Sequence, residues 1–580
     1  MDRGLTSRRP VSDAQLDLLA RRLTRAGVGR RDFLGVTATL AALGVAGGAS
    51  TAAEGAARPA PGETLAAEQV LRLGGWYERD PHSHDYNKDL YCGGVRSLFA
   101  GLMKFDSELR LVPSVATDAI ASRDGSVWTF PLRPDARWSD GSRCTAHDFV
   151  YSLTRQLAPA TNAPQAAALY DIKNAEAFHT GRSKRRDDVG VRALDDRTLE
   201  ISLEGPRAYF GVLMGTPAFL PAHRPSVEKY GDRWTEADNI VCNGPFQLDV
   251  WQHGTVMVLR RNPHFFGAAD VLLDRVVIRI MAPRSATELY LRDALDVLRL
   301  QGASVRRFEM SPELAPEAFP FFAPGTWYLI PQVTKPPFDN LNVRRAVSHA
   351  IDRAAVAAAG WGFAVPAHSM VRPGLPGARD DATVRRLQRF DPDLAMSLLR
   401  GTPYEGGRKW PRVTMTMREE SFGAASLAQA VQGELFEHLN LRTELRVMDP
   451  RKFRERLWLH EFQLVWIRFF VDYPDPQNLY GDAFYSRRTT GARQAWRSDT
   501  FDAAIEAGRQ TLDPVARLAH YARAEDVLQT EVGYIPVAWI VGRGAAKPWV
   551  RGFQTNRAGE RLLDGDLYAD MLSRLYVVRV

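Results

Sequence analysis

Between residues 127 and 157 the chain changes its hydrophobic period, and that change restricts what it can fold into. Val127-Trp-Thr-Phe-Pro-Leu-Arg133 alternates, which puts Trp128, Phe130 and Leu132 on one face of a strand. After an Asp140-Gly141 turn the apolar residues fall at helical spacing instead, at Phe149, Leu153 and Leu157. Thr145 stands at the N-cap position with acidic Asp148 three residues on, a capping pair that sets where the helix begins. A chain that couples half-buried strands to amphipathic helices this closely builds sheets covered by helices.

The same switching continues to the end without an internal repeat. Gln69-Val-Leu-Arg-Leu-Gly74 reads as the first strand, and residues 91–104 carry helical spacing through Val95, Leu98, Phe99 and Leu102. Val191 to Leu203 reads as a hairpin turning at Asp195-Asp196, and Val256–Arg261 and Val276–Ile280 as strands. Pro337 to Arg353 reads as a capped amphipathic helix packing through Val343, Ala346, Val347, Ala350 and Ile351. With 580 residues, 45% of them hydrophobic and 25% charged, the chain can fill several cores and needs no disulfide or metal to do so. The fold class expected is α/β with more than one lobe.

Several function classes drop out. The formal charge of +7 is spread among Asp and Glu, and the densest basic run, Arg182 with Lys184 to Arg186, is followed at once by Asp187 and Asp188. That pattern is a solvated surface, and no aromatic-and-basic motif that reads nucleic acid accompanies it. The three cysteines, Cys92, Cys144 and Cys242, are too far apart for a metal or redox pair, and burial is expected for them. No GxSxG, HExxH, Walker A or strand-following GxGxxG motif is present. His82-Ser-His84-Asp85 lacks the spaced third and fourth ligands of a closed zinc site. The residues alone therefore disfavour an enzyme, and no metal or cofactor is expected.

Near the amino terminus Arg30 and Arg31 are followed by Asp32, then Phe33 and Leu34, then a short Gly/Ala-rich apolar stretch and small residues around Ser50 to Ala57. That is the pattern of a twin-arginine export signal. The apolar stretch is shorter than the ~20 residues a membrane span requires. The chain is therefore expected to be exported already folded and to have no stable membrane anchor once cleaved.

The block from Leu111-Val-Pro-Ser-Val-Ala116 through Val127 to Ser152 strongly resembles the peptide- and oligopeptide-binding solute receptors of ABC transporters, extracellular solute-binding family 5. Further segments match the same family: Val189 to Glu200, Asn239-Ile-Val-Cys-Asn-Gly-Pro-Phe246, Leu259 to Phe266, Pro337 to Val347, Asp472-Tyr-Pro-Asp-Pro476 and Lys547 to Phe553. The resemblance implies a type II periplasmic-binding-protein clamp of two lobes with an inserted domain. Domain I would comprise residues 65–98, 219–320 and 547–580, domain II the insertion 99–218 and domain III residues 321–546, after a signal segment 1–57. It implies a periplasmic, monomeric receptor that passes a peptide to a permease and its ATPase subunits; dipeptides, opines, metal chelates, oligosaccharides and a sensor role remain alternatives.

In that family an acidic residue of domain III meets the ligand's α-ammonium, and Asp472 occupies the position. Asp475 is expected to serve structure. The resemblance further implies a second acidic group at Asp85, a backbone-contacting loop at Asn243 and Gly244, and main-chain groups along Arg468, Phe469, Phe470 and Val471 with Tyr473 adjacent. Trp466 stands where some relatives carry an Arg for the ligand carboxylate, and Arg468 lies two residues later.

Overall fold

The computed structural model describes residues 58–77, 79–89, 95–419, 423–486, 495–563 and 571–579. The export-signal residues Arg30, Arg31, Phe33 and Leu34, the segment 1–57 and Cys92 lie outside the described residues.

One eleven-stranded sheet runs through the molecule. From one edge its strands are Thr443–Met448, Val413–Arg418, Leu464–Phe470, Ala318–Pro331 and Ile535–Ala546. It continues through Val297–Arg299, Val70–Tyr77, Arg275–Ile280, Val256–Arg261 and Phe246–Gln252, while Ala364–Pro366 pairs with Ile535–Ala546. The two long strands Ala318–Pro331 and Ile535–Ala546 belong to both halves. Their antiparallel ladder runs from Ala318 to Phe322, breaks, and resumes at Thr326 opposite Trp539. Ala323-Pro324-Gly325 is left out of register, and such a bulge bends a strand. Just before the break Phe321 lies over Gly542, where a Cβ would sit 2.1 Å from the ring. A glycine there lets an aromatic ring cross the neighbouring strand beside the bend.

A separate four-stranded antiparallel sheet, ordered Ile120–Ala121, Val127–Pro131, Thr198–Ser202 and Val191–Asp195, forms a second body. Its period-two face buries Trp128 and Phe130 against Phe149, Leu153 and Leu157 of helix Ala146–Leu157, as the spacing requires. The helix starts where the capping pair sets it: the Thr145 N–H donates to the Asp148 carboxylate at 2.7 Å. Helix Leu341–His349 is likewise capped by the Asn340 side chain and buries Val343, Ala346 and Val347, with Ala350 and Ile351 just beyond its end.

One element departs from expectation. Among the described residues, helical spacing over 91–104 yields the single turn Val95–Leu98, and Met103–Phe105 is a strand paired with Leu111–Pro113. The helix stops because the Ala100 backbone is claimed from outside, as its N–H donates to Asn243 Oδ1 at 2.9 Å and its carbonyl accepts from Asn243 Nδ2 at 2.9 Å. Tertiary hydrogen bonds outweigh local periodicity here.

Candidate ligand-binding site

Strand Leu464–Phe470 sends alternate side chains to opposite faces of the sheet. Val465, Ile467 and Phe469 enter one core, while Trp466 points to the other side and is 1% exposed. Trp466 stacks on Trp327 with ring planes 2° apart and centroids 5.3 Å apart, and its indole N–H donates to the Ala424 carbonyl at 3.1 Å. The Trp466 and Phe469 side chains thus both fill cores, on opposite faces of the sheet. Arg468 and Phe470 lie further along the Trp466 face and are half-buried. The Arg468 guanidinium sits 4.5 Å from the Phe470 ring centroid, a cation–π contact that keeps a positive charge beside the strand end.

Beyond Phe470 the chain turns through Val471-Asp472-Tyr473-Pro474-Asp475, and Asp472 is exposed. The turn is held from beneath. Asp472 N–H donates to Asn478 Oδ1 at 2.9 Å, and Asn478 Nδ2 donates to Asp472 Oδ2 at 3.2 Å and to Asp482 Oδ2 at 3.1 Å. One buried amide thus orients both the backbone and the carboxylate of Asp472. Asp475 is buried and receives both Arg517 Nη atoms, at 2.6 and 2.8 Å, together with the Gln477 N–H at 2.8 Å. Residues Gln477–Gly481 adopt a π-type turn, a geometry that recurs at functional sites.

Tyr473 brings this turn to the other body. Its ring lies nearly parallel to that of Tyr209, with centroids 6.4 Å apart, and its hydroxyl donates to Asp482 at 2.8 Å. Asp472 therefore stands exposed at the seam between the body of the four-stranded sheet and the half of the molecule built on residues 413–546.

The remaining expected contacts lie elsewhere. Asp85 is 3% exposed and its carboxylate is fully engaged. Arg155 donates to both its oxygens at 3.2 and 2.6 Å, Trp234 Nε1 to Oδ2 at 3.0 Å and the Asn87 N–H to Oδ1 at 3.0 Å. It ties the segment after the first strand to helix Ala146–Leu157 through a buried ion pair. Asn243 and Gly244 do contact backbone, but the chain's own. Asn243 clasps Ala100, and Gly244 packs so closely that a Cβ would lie 2.6 Å from the Leu98 carbonyl carbon.

Cys144 and Cys242 are buried, as expected. Burial pushes the Cys242 thiol up to about 12 and the Cys144 thiol well above its usual value. A thiol that cannot ionise is a poor nucleophile, so both cysteines are expected to resist iodoacetamide at pH 8 in the native protein and to react after denaturation. Peptide mapping by mass spectrometry reads this directly; native labelling of either would contradict the packing. His84 packs its ring 4.6 Å from Trp251, and among the described residues no group of three or more His, Cys, Asp or Glu is placed to hold a metal ion. Among the same residues no helix is long and apolar enough to cross a membrane.

Sequence reasoning missed Asn478, Tyr209, Asp171 and Arg509, which complete the seam. Asn478 had a faint local signal, an amide six residues after the acidic turn residue. The others had none, since Asp171 and Arg509 meet across 338 residues of chain.

A sheet shared by two halves, bent at a bulge, with an inserted second body and an acidic turn at the seam, defines a two-lobe binding clamp. The family model described as bacterial extracellular solute-binding proteins, family 5, middle, matches residues 110–491, and the chain belongs to that family. The chain is 29% identical over 544 residues to the periplasmic oligopeptide-binding protein OppA of Salmonella typhimurium, covering 92% of this chain and 96% of that protein. It is 28% identical to the dipeptide-binding protein DppE of Bacillus subtilis, covering 76% and 81% respectively. Among solved structures it superposes on the periplasmic murein tripeptide-binding protein MppA in its unliganded open form, with a TM-score of 0.75 and 26% identity, over 90% of this chain and 99% of that one. The fold is the type II clamp expected from the sequence.

Proposed function

We propose that the protein is the extracytoplasmic receptor of an ABC importer, holding a peptide with a free α-amino group between its lobes and delivering it to the permease. The observation that carries this reading is Asp472, exposed at the seam yet oriented by the buried Asn478 amide. A buried ammonium costs several kcal/mol unless an opposite charge and hydrogen bonds meet it. A carboxylate fixed before the ligand arrives supplies both without an ordering cost. Main-chain groups of Arg468 to Val471 would pair with an extended peptide and so accept varied side chains. Arg468, half-buried at the end of the strand that leads into the Asp472 turn, would be available to the ligand's carboxylate.

In this reading the lobes divide as residues 65–98, 219–320 and 547–580 for domain I, 99–218 for domain II and 321–546 for domain III. Closing at the Ala323–Gly325 bulge would desolvate the ligand. Export would use Arg30, Arg31, Phe33 and Leu34 through the twin-arginine machinery, with cleavage among the small residues around Ser50 to Ala57, and the mature receptor would act as a periplasmic monomer. Mass spectrometry of small molecules released from the purified protein is expected to find peptides. Calorimetry should then favour free-amine peptides over their N-acetylated forms. A sugar, opine or metal chelate in their place would overturn the peptide assignment.

A further inference from the structure

The seam beside Asp472 contains a second cluster that points away from any ligand role. On the four-stranded body, Asp171 receives Arg207 Nε at 2.9 Å and the Tyr209 hydroxyl at 2.5 Å. From the other side comes Arg509, on helix Asp499–Gln510, whose Nη2 donates to Asp171 Oδ1 at 3.4 Å while Nη1 donates to Glu506 at 3.2 Å. The Ala208 N–H crosses to the Arg509 carbonyl at 3.0 Å, and the Tyr209 ring lies along Tyr473. Leu512 fills the space against Gly125 on the same seam. The Asp171 and Arg509 side chains are only 14% and 13% exposed, so their attraction is poorly screened by solvent.

The chemistry of this cluster suits a contact that must break and re-form. Separated, neither half would leave a buried charge alone: Asp171 keeps Arg207 and Tyr209, and Arg509 keeps Glu506. Among the contacts that parting removes are a charge-assisted hydrogen bond, a backbone hydrogen bond and an aromatic stack. These are modest, additive gains available only when the bodies meet, and a population of closed molecules can be set by them. The cluster also shares a segment with the ligand anchor. Tyr473 follows Asp472 directly, and its hydroxyl and Asp472 Oδ2 are linked through Asp482 and the Asn478 amide.

We propose that Arg509, Asp171 and Tyr209 form a closing latch that sets how long ligand stays bound without touching it. The inference rests on reading the two bodies as jaws. Its probe is tri-alanine, compared with N-acetyl-tri-alanine, alongside small-angle X-ray scattering of the mature chain with and without the peptide. Arg509→Ala is expected to enlarge the radius of gyration and to speed tri-alanine dissociation about tenfold, the equivalent of 1.4 kcal/mol. Preference for the free amine over the acetylated form should stay as in the parent, because Asp472 is untouched. Arg509→Lys, which keeps the charge but loses the fork, should fall between them. If Arg509→Ala does not fold, Leu512→Ser loosens the same seam from its half-buried edge and carries the same expectation. A folded variant with the parent's radius and dissociation rate would overturn the latch. Failure of tri-alanine to bind the parent would instead count against the peptide reading, and the radius comparison would still decide the latch.

Discussion

Replacing Asp472 by alanine is expected to weaken binding of a free-amine peptide by a factor of about thirty to several thousand, with little change in thermal stability. The magnitude follows from truncating one partner of a desolvated charge pair, about 2–5 kcal/mol, most of it the cost of leaving the other charge buried and unmatched. The stability expectation follows from position. Asp472 is exposed on a turn, and Asn478, which donates to its carboxylate, keeps Asp482 when that carboxylate is removed. The turn itself is anchored by the buried Asp475–Arg517 pair, which the substitution does not touch. Calorimetry with a free-amine peptide and its N-acetylated form separates the two contributions. The acetylated peptide has no ammonium to match, so its affinity should hardly change between parent and variant. Equal affinity of both proteins for the free-amine peptide would place the ammonium elsewhere in the cleft.

What the sequence makes legible here follows a physical line. Helix Ala146–Leu157 and strand Val127–Pro131 are readable because capping and alternation act within a few residues, and local signals decide local geometry. The exposed turn at Asp472 is readable because Asp-Tyr-Pro-Asp-Pro is turn-forming by composition. The roles of Asp85, Asn243 and Gly244 are not readable, because their partners are remote. Asp85 meets Arg155 after 70 residues and Trp234 after 149, and Asn243 meets Ala100 after 143. A carboxylate looks the same in sequence whether it faces a ligand's ammonium or an internal guanidinium. Trp466 shows the complementary limit. In sequence it occupies a site position, but the strand's alternation turns it toward Trp327 and a helix, and only the cover above a sheet face decides whether a side chain is core or surface.

The same distinction gives Asp85 the opposite expected behaviour from Asp472. Asp85→Ala would leave the Arg155 guanidinium, 11% exposed, without its carboxylate and would orphan the Trp234 indole N–H. Removing one member of a buried ion pair costs about 3–5 kcal/mol, because the partner's charge stays buried without compensation. Chemical denaturation should therefore show a large loss of stability, while the folded protein binds a free-amine peptide within about threefold of the parent, a difference of less than 1 kcal/mol. Arg155→Ala should destabilise to a similar degree by leaving Asp85 alone. The double variant Asp85→Ala/Arg155→Met should be milder than the sum of the singles, since the charge and its partner leave together. If Asp85 instead gripped the ligand, its alanine variant would be stable and would bind poorly, and Arg155→Ala would not reproduce it. Two acidic residues that the sequence presents as one kind of site are thus separated by which measurement each one moves.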